Sequence, residues 1–247
     1  MHIIKSMIVI LTDFGHSEYL GVMKGIIHSI KKNTKIVDLS NFVSHHNIKE
    51  GAWILYKNYK YFPKNTVFLC VVDPGVGSKR QCLAIRTKNY FFVGPDNGLM
   101  YKPAVEDKVV AAVKLPIKNA SMTFHGRDVF AKAAAQLEKG VKIEILGKKT
   151  TIKIKLDFHL KERKGEVVRI DNFGNIITNL SSLNKSSYKV KAENFNQKLS
   201  FNRTYESAPS NKLFIIKGSS DTLEISIKNS NASKRLKLKV GSKIKIS

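Results

Sequence analysis

Residues 71–80 read Val-Val-Asp-Pro-Gly-Val-Gly-Ser-Lys-Arg, and this stretch carries the strongest single indication of the fold. The apolar run of residues 67–72 is typical of a buried strand, and it ends at Asp73, where a proline and two glycines interrupt regular structure. Open α/β sheets bind ligands beyond the carboxyl ends of buried strands, so Asp73 and Arg80 are the first candidates for chemistry. The alternative is that Asp-Pro-Gly forms an ordinary turn without further function.

Strands and helices alternate in the chain before this stretch. The predicted elements, in order, are a strand at 7–11, a helix at 18–31, a strand at 35–39 and a helix at 48–61. Such alternation predicts an α/β domain with a doubly wound, mainly parallel sheet. Asp13 follows the first strand as Asp73 follows the third, so both carboxylates are expected at one edge of the sheet. Alternatively, Asp13 only caps the helix that follows it.

Two short strands are predicted after Arg80, at 82–86 and 90–93. The next residues, 94–98, read Gly-Pro-Asp-Asn-Gly and are expected to form a tight, exposed loop.

Two cysteines, Cys70 and Cys82, lie inside the apolar segments, without nearby cysteine or histidine at metal-binding spacing. We interpret both as small buried hydrophobic residues rather than as metal ligands or a disulfide.

One of the seven histidines is distinguished by its context. His125 lies in the stretch Thr-Phe-His-Gly-Arg-Asp, residues 123–128, directly before an alanine-rich helix predicted over 129–138. The positive end of a helix disfavours a protonated neighbour, so His125 is expected to be neutral and able to accept a proton.

The second half of the chain has a different pattern. After a charged connector, short alternating runs separated by Asn, Ser and Gly predict a small antiparallel barrel or a sandwich, with no convincing helix. We therefore expect two domains, 1–156 and 157–247. The predicted strands of the second domain are 167–170, 176–180, 188–190, 212–216, 223–227, 236–240 and 243–246.

The net charge of +24 suggests a nucleic acid or another acidic partner, but its distribution does not single out a binding segment. Residues 157–247 carry 18 basic and 8 acidic side chains, and residues 1–156 carry 25 and 11, so the excess is spread over both halves. We expect only nonspecific nucleic-acid binding, through net positive charge. No apolar run approaches the roughly 18 residues that span a bilayer, so a soluble cytoplasmic protein is expected.

Five short motifs occur in order across both halves of the chain. They are Thr12-Asp13-Phe14-Gly15, Asp73-Pro74-Gly75-Val76-Gly77 with Arg80, Gly94-Pro95-Asp96-Asn97-Gly98, Phe124-His125-Gly126-Arg127-Asp128 and Ile170-Asp171-Asn172-Phe173-Gly174-Asn175. Together they resemble the S-adenosyl-L-methionine (SAM) hydroxide adenosyltransferases, adenosine-forming SAM hydrolases related to the bacterial fluorinase and chlorinase. The resemblance implies an N-terminal α/β domain, a C-terminal β-barrel, and a homotrimer with active sites between one subunit's N-terminal domain and its neighbour's C-terminal domain.

The resemblance also implies roles for particular residues. Asp73, Arg80 and His125 match the set that handles water. Asp13 matches the carboxylate that holds the ribose hydroxyls. The remaining residues that match substrate contacts are Phe124, Asp171 for the methionine ammonium group, Phe173, Asn175 for the adenine edge, and Ser219 for the methionine carboxylate.

The implied reaction is attack of water on C5′ of the SAM ribose, giving adenosine and L-methionine. The sulfonium already supplies a good leaving group, the thioether of methionine, and no metal cluster is visible in the sequence, so no cofactor is expected. Asp73 favours water over halide, because a carboxylate would repel an anion. The alternative on the same fold is a SAM- or adenosine-binding protein without turnover, although such a protein would not need the water-handling residues.

Overall fold

The computed structural model of the protein describes residues 7–247. The chain divides into two compact units, Met1–Leu156 and Asp157–Ser247, each built around a seven-stranded sheet. No helix in the described part of the chain is long and apolar enough to cross a membrane.

The first unit is an α/β domain with a mixed sheet, so the predicted α/β class is confirmed. In the order β2-β1-β3-β5-β4-β6-β7, the first four strands are parallel and the last three pair antiparallel. Only residues 88–90 join β4 to β5, and so short a connection requires antiparallel strands. The strands are β1 (Met7–Thr12), β2 (Lys35–Ser40), β3 (Val67–Val71), β4 (Cys82–Thr87), β5 (Phe91–Pro95), β6 (Val109–Lys114) and β7 (Lys148–Lys149).

Helices cover both faces of this sheet, which explains why its central strands are apolar on both sides. On one face, alternate residues of β1 and β3 pack against Met23 and Ile27 and against Phe130. On the other face, Phe68 and Phe92 stack at 5.3 Å between ring centroids. The helices are α1 (Glu18–Ile30), α2 (Ile48–Asn58), α3 (Tyr101–Glu106) and α4 (Lys132–Glu138), with 3-10 turns at Tyr59–Tyr61 and Ile143–Ile145 and a π-helix at Gly126–Ala131.

The expectation of an exposed loop at residues 94–98 is wrong, because this loop is largely buried. The Asp96 carboxylate is 3% exposed and accepts a hydrogen bond from the backbone amide of Lys153 at 3.0 Å. A later segment of the chain therefore covers the loop. Asn97 donates its side-chain amide to the carbonyl of Val72 at 2.8 Å, which ties the loop to the end of the strand before Asp73.

The second unit is an antiparallel, nearly closed barrel, as predicted. Its strand order is β11-β10-β14-β8-β9-β13-β12. A bridge between Phe201 and Ile215 brings the chain after the first edge strand to the last one, so the sheet curls upon itself. The strands are β8 (Lys164–Ile170), β9 (Ile176–Ser181), β10 (Ser187–Ala192), β11 (Phe195–Ser200), β12 (Leu213–Lys217), β13 (Thr222–Ile227) and β14 (Lys243–Ile246).

Two segments of the barrel differ from the sequence-based expectation. Residues 236–240 are not a strand: the short helix α5 (Ala232–Leu236) ends there, and Lys237 follows in the left-handed region with φ of 54°. The Asn231 side chain caps this helix by accepting a backbone N–H at 2.7 Å. Strand β11 was missed because most of its residues are polar and exposed.

A row of lysines crosses one face of the barrel. Lys191 lies directly opposite Lys245, and Lys245 lies directly opposite Lys164 on the next strand. Lys189, on the same face two residues before Lys191, lies opposite Lys198. All five side chains are exposed. Like charges directly opposite each other in a sheet are destabilising.

Candidate active site

The loop after β3 returns Arg80 to Asp73. The backbone N–H of Val76 donates to the carbonyl of Asp73 at 3.2 Å, which begins a tight turn. Gly77 continues the turn with φ of +77°, and a Cβ there would lie 2.5 Å from the carbonyl oxygen of Met122. Only glycine suits this position, because a side chain would be strained and would collide with backbone.

Asp73 and Arg80 form a bidentate ion pair. Arg80 Nε donates to Asp73 Oδ1 at 2.7 Å, and Arg80 Nη2 donates to Asp73 Oδ2. The two side chains are only 9% and 6% exposed. Burial by itself lowers the pKa of Arg80, but the hydrogen bond and charge of Asp73 outweigh it and the pKa is raised. The geometry therefore holds a charged guanidinium and a carboxylate in one fixed orientation.

His125 completes this cluster. It is 1% exposed, and its Nδ1 lies 2.9 Å from Arg80 Nη2. A guanidinium can only donate, so Nδ1 accepts and the ring proton of neutral His125 is on Nε2. Nε2 is buried and has no hydrogen-bond partner in the described part of the chain. His125 therefore has one N–H donor available for a further group.

The pKa of His125 is lowered, so the ring is neutral, as the sequence predicts. Burial is the main cause of the lowered pKa, and the Arg80 charge adds to it. The nearby carboxylates of Asp73 and Asp128 oppose the change. His125 also directly precedes the helix at Gly126–Ala131, as the sequence predicts.

The lowered pKa of His125 predicts how stability depends on pH. Below the unfolded pKa of about 6.5, unfolded chains bind a proton at this residue that folded chains do not bind. The free energy of unfolding should therefore decrease as pH falls from about 6.5 to the folded pKa, by up to about 1.4 kcal/mol per pH unit. Urea unfolding at a series of pH values measures this slope. The slope should shrink in His125→Asn and persist in His28→Asn, a change at an exposed histidine; equal slopes in both variants would contradict the prediction.

Cys82 also belongs to this cluster, which the sequence-based interpretation as a plain hydrophobic residue missed. Arg80 Nη1 donates to Cys82 Sγ at 3.0 Å, and the same sulfur lies 3.6 Å from His125 Nδ1. A signal was available in the sequence. Residues two apart on an extended chain share a face, and Cys82 is two residues after Arg80.

A cavity of about 600 Å³ adjoins the cluster, a size typical of small-molecule sites. Four of the predicted residues of the first unit line it directly, and Arg80 reaches it through its bonds to two of them. The lining residues are Asp13, Phe14, Ser17, Tyr19, His45, His46, Val71, Asp73, Val76, Ser121, Thr123, Phe124, His125, Gly126 and Arg127.

Asp13 lies in this cavity rather than capping a helix. Its Oδ2 accepts the backbone N–H of His46 at 2.8 Å, whereas the residue at the start of α1 is Ser17. His46 has φ of 63°, a left-handed conformation that directs its N–H at the carboxylate. The second carboxylate oxygen of Asp13 makes none of the hydrogen bonds recorded among the described residues, so it can accept donors from a ligand.

Aromatic rings form one wall of the cavity. Phe124 meets Phe14 and Tyr19 edge to face, with ring centroids 6.1 and 5.0 Å apart. The Arg127 guanidinium lies 5.2 Å from the centre of the Phe124 ring. This arrangement fixes the orientation of Phe124 and offers a flat apolar surface in the cavity that Asp13 also lines.

Three of the four predicted residues of the second unit, Asp171, Phe173 and Asn175, lie in one hairpin loop, and most of the polar groups of this loop bond within it. Asp171 Oδ1 accepts the backbone amides of Phe173 and Asn175 at 3.0 and 2.9 Å, and its Oδ2 accepts the Asn175 side-chain amide at 2.8 Å. Gly174 has φ of +81°, and the Asn231 side chain occupies the space of its missing Cβ. The loop is therefore rigid, with Phe173 projecting from it, 79% exposed.

A second cavity, of about 650 Å³, lies against this loop. Tyr205 lines it and was missed by the sequence-based argument; its hydroxyl donates to the buried Glu224 carboxylate at 3.1 Å. Burial, mainly, raises the pKa of Glu224. Ser219 does not line this cavity: it is exposed in the turn before β13, whereas the cavity adjoins the other end of that strand. The lining residues are Asp171, Phe173, Asn175, Tyr205, Glu206, Ile227, Lys228, Asn229, Ser230 and Asn231.

Comparison with known protein families assigns both halves of the chain to one family. Residues 8–147 match the SAM hydroxide adenosyltransferase N-terminal domain, and residues 165–245 match the corresponding C-terminal domain. The protein belongs to the SAM hydroxide adenosyltransferase family. The family that the five motifs suggested from sequence alone is thus confirmed.

Similar proteins come from several organisms. A protein of Methanocaldococcus jannaschii named (R)-S-adenosyl-L-methionine hydrolase is 36% identical, over 94% of this chain and 92% of its own. A protein of the same name from Thermus thermophilus is 32% identical, over 96% and 97%. A crystal structure of an uncharacterized conserved protein from Thermotoga maritima superposes with a TM-score of 0.90 at 33% identity, covering 98% of this chain and all of that one.

The relation to halogenating enzymes is also supported. A protein of Actinopolyspora mzabensis named fluorinase is 24% identical over 75% of each chain.

Among the described residues there is no group of three or more His, Cys, Asp or Glu side chains placed to hold a metal ion.

Proposed function

We propose that this protein hydrolyses S-adenosyl-L-methionine to adenosine and L-methionine. The observation that carries the proposal is the buried Asp73–Arg80–His125 cluster beside a ligand-sized cavity, in a member of this family. The relatives named (R)-S-adenosyl-L-methionine hydrolase support the substrate and suggest that its sulfonium has the R configuration.

In the proposed reaction, a water oxygen forms a bond to C5′ of the ribose while the C5′–sulfur bond breaks. The electron pair of that bond stays on sulfur, which becomes the neutral thioether of methionine. One proton of the water must leave, and Asp73 is the proposed acceptor. Both of its oxygens bond to Arg80, but each carboxylate oxygen has a further lone pair for water. Positioning contributes roughly 7–11 kcal/mol in favourable cases, and a general base about a hundredfold to ten-thousandfold.

Arg80 and His125 have supporting roles in this mechanism. The guanidinium holds the Asp73 carboxylate in one orientation, and its charge stabilises hydroxide as it develops. His125, with its Nδ1 lone pair facing Arg80, offers the Nε2 proton as a donor to the water or to substrate. The ring is therefore proposed to orient the water rather than to remove its proton.

The remaining residues are proposed to bind substrate. Asp13 would accept the ribose hydroxyls and Phe124 would pack on the nucleoside. The residues proposed on the second unit are Asp171 for the ammonium group, Phe173 as a stacking surface, Asn175 for the adenine edge and Ser219 for the carboxylate. The side-chain NH2 group of Asn175 donates a hydrogen bond to Asp171, so the side-chain oxygen of Asn175 is the group proposed to contact adenine.

A homotrimer is proposed on the family resemblance, with each active site built from the N-terminal domain of one subunit and the C-terminal domain of its neighbour. Sedimentation would test the trimer. We also propose that the protein is cytoplasmic and that nucleic acid binds only nonspecifically. The proposed reaction needs no cofactor, because the sulfonium already supplies a good leaving group, the neutral thioether of methionine.

The direct test is incubation of purified protein with SAM enriched in either sulfonium epimer, with and without chloride, followed by chromatography of the products. Adenosine and methionine, formed faster from the R epimer and at a rate independent of chloride, would support the proposal. Tight binding without product would favour a SAM-binding sensor instead. Release of 5′-chloroadenosine would overturn the assignment of water as the nucleophile.

A further inference from the structure

The Arg80 guanidinium is held by three different partners. Its Nε and Nη2 are bonded to Asp73, Nη2 also faces His125, and Nη1 donates to Cys82 Sγ at 3.0 Å. Every guanidinium nitrogen is thus engaged, and the sulfur also lies 3.6 Å from His125 Nδ1. Cys82 is 1% exposed at the start of β4, so the backbone of the sheet fixes its position.

We propose that Cys82 is a positioning residue for hydrolysis, holding the Arg80 guanidinium so that it faces Asp73 and His125 together. This inference rests on the proposed function. The planar guanidinium sits at the end of a long, flexible side chain. Its two hydrogen bonds to the Asp73 carboxylate still allow the guanidinium and the carboxylate to rotate together. A third contact from a different strand removes that freedom and keeps Nη2 within reach of His125.

The thiol suits this role because it is neutral. Burial raises the pKa of Cys82, and the adjacent Arg80 charge only partly offsets this effect. A thiolate would compete with Asp73 for the guanidinium charge. A neutral sulfur accepts the Nη1 hydrogen without drawing Arg80 away from the carboxylate.

The rival explanation is that Cys82 only fills space, since it also belongs to the hydrophobic core of the first unit. Three substitutions separate the two roles. Cys82→Val fills the space without a hydrogen bond, Cys82→Ser retains an acceptor in a smaller side chain, and Cys82→Ala removes both. Cys70→Ala is the matched control, because Cys70 is equally buried on β3 and makes no recorded contact with the cluster.

Steady-state kinetics with SAM over a range of pH should distinguish positioning from packing. Loss of one ordinary hydrogen bond corresponds to about a threefold to tenfold lower kcat, expected in Cys82→Val and Cys82→Ala with little change in KM. Cys82→Ser should keep more activity than Cys82→Val. Cys70→Ala should be less stable but should keep the wild-type kcat. A Cys82→Val enzyme with wild-type kcat would overturn the proposal.

A second measurement does not depend on turnover. The Arg80 charge helps to lower the pKa of His125, so a displaced guanidinium should let that pKa rise. NMR titration should show a higher His125 pKa in Cys82→Val and an unchanged one in Cys70→Ala. An unchanged His125 pKa in Cys82→Val would refute positioning by Cys82. Failure of the wild-type protein to hydrolyse SAM would instead refute the proposed function.

Discussion

An Asp73→Asn variant is expected to lose about a hundredfold to ten-thousandfold of kcat for SAM hydrolysis, with a much smaller change in KM. Asparagine has nearly the same shape as aspartate and can still accept one hydrogen bond from Arg80. It cannot accept a proton from water at neutral pH. The loss should therefore appear in the chemical step, which a single-turnover measurement of adenosine formation would isolate.

Asp38→Asn is a suitable control for this experiment. Asp38 forms a partly exposed ion pair with Lys24 at 2.7 Å, outside the cavity. Neutralising it removes the same charge from the protein without touching the cluster, so kcat should stay near the wild-type value. Full activity in Asp73→Asn would show that another group accepts the proton.

Arg80→Met is expected to have the largest effect on stability, about 3–5 kcal/mol in the free energy of unfolding at pH 7. The reason is that both partners of this ion pair are largely buried, so removing Arg80 leaves the Asp73 carboxylate without a counter-charge. The variant should also lack activity, because His125 and Asp73 lose the group that orients both. Urea unfolding monitored by circular dichroism measures the stability change.

A double variant tests whether the unpaired Asp73 carboxylate causes the loss of stability in Arg80→Met. In Arg80→Met/Asp73→Asn the uncompensated carboxylate is gone, so part of the stability should return relative to Arg80→Met alone. Arg80→Lys should fall between wild type and Arg80→Met, since lysine keeps the charge but cannot form the paired contacts. A double variant as unstable as the sum of both single changes would mean that the two residues do not interact as the geometry indicates.

The carboxylates of the first unit could be predicted from sequence because their positions follow from local patterns. Asp13 and Asp73 each end an apolar strand, and parallel strands carry their carboxyl ends to one edge of a sheet. Contacts between distant segments could not be predicted in this way. The loop at 94–98 is buried because residues more than fifty positions later cover it, and nothing in its own turn-like composition indicates this.

In the second unit, too, local patterns could be predicted from the sequence, whereas contacts between distant segments could not. Alternating apolar residues indicated antiparallel strands but did not distinguish a barrel from a sandwich, since both share that pattern; closure depends on the bridge at Phe201. The 171–175 loop was recognised by its motif, whereas Tyr205 reaches the cavity from a connection with no regular pattern. The engagement of Asn175 by Asp171 was equally unpredictable, because either side chain alone suits a turn.

The lysine row on the barrel should make the stability of this unit depend on salt concentration. Lys191, Lys245 and Lys164 are successive direct neighbours across three strands, at spacings shorter than the screening length of about 10 Å in 0.1 M salt. In dilute buffer their repulsion acts almost unscreened, and dissolved ions weaken it. The barrel should therefore melt at a lower temperature in low-salt buffer than at physiological ionic strength, so desalting a preparation for assay lowers its stability.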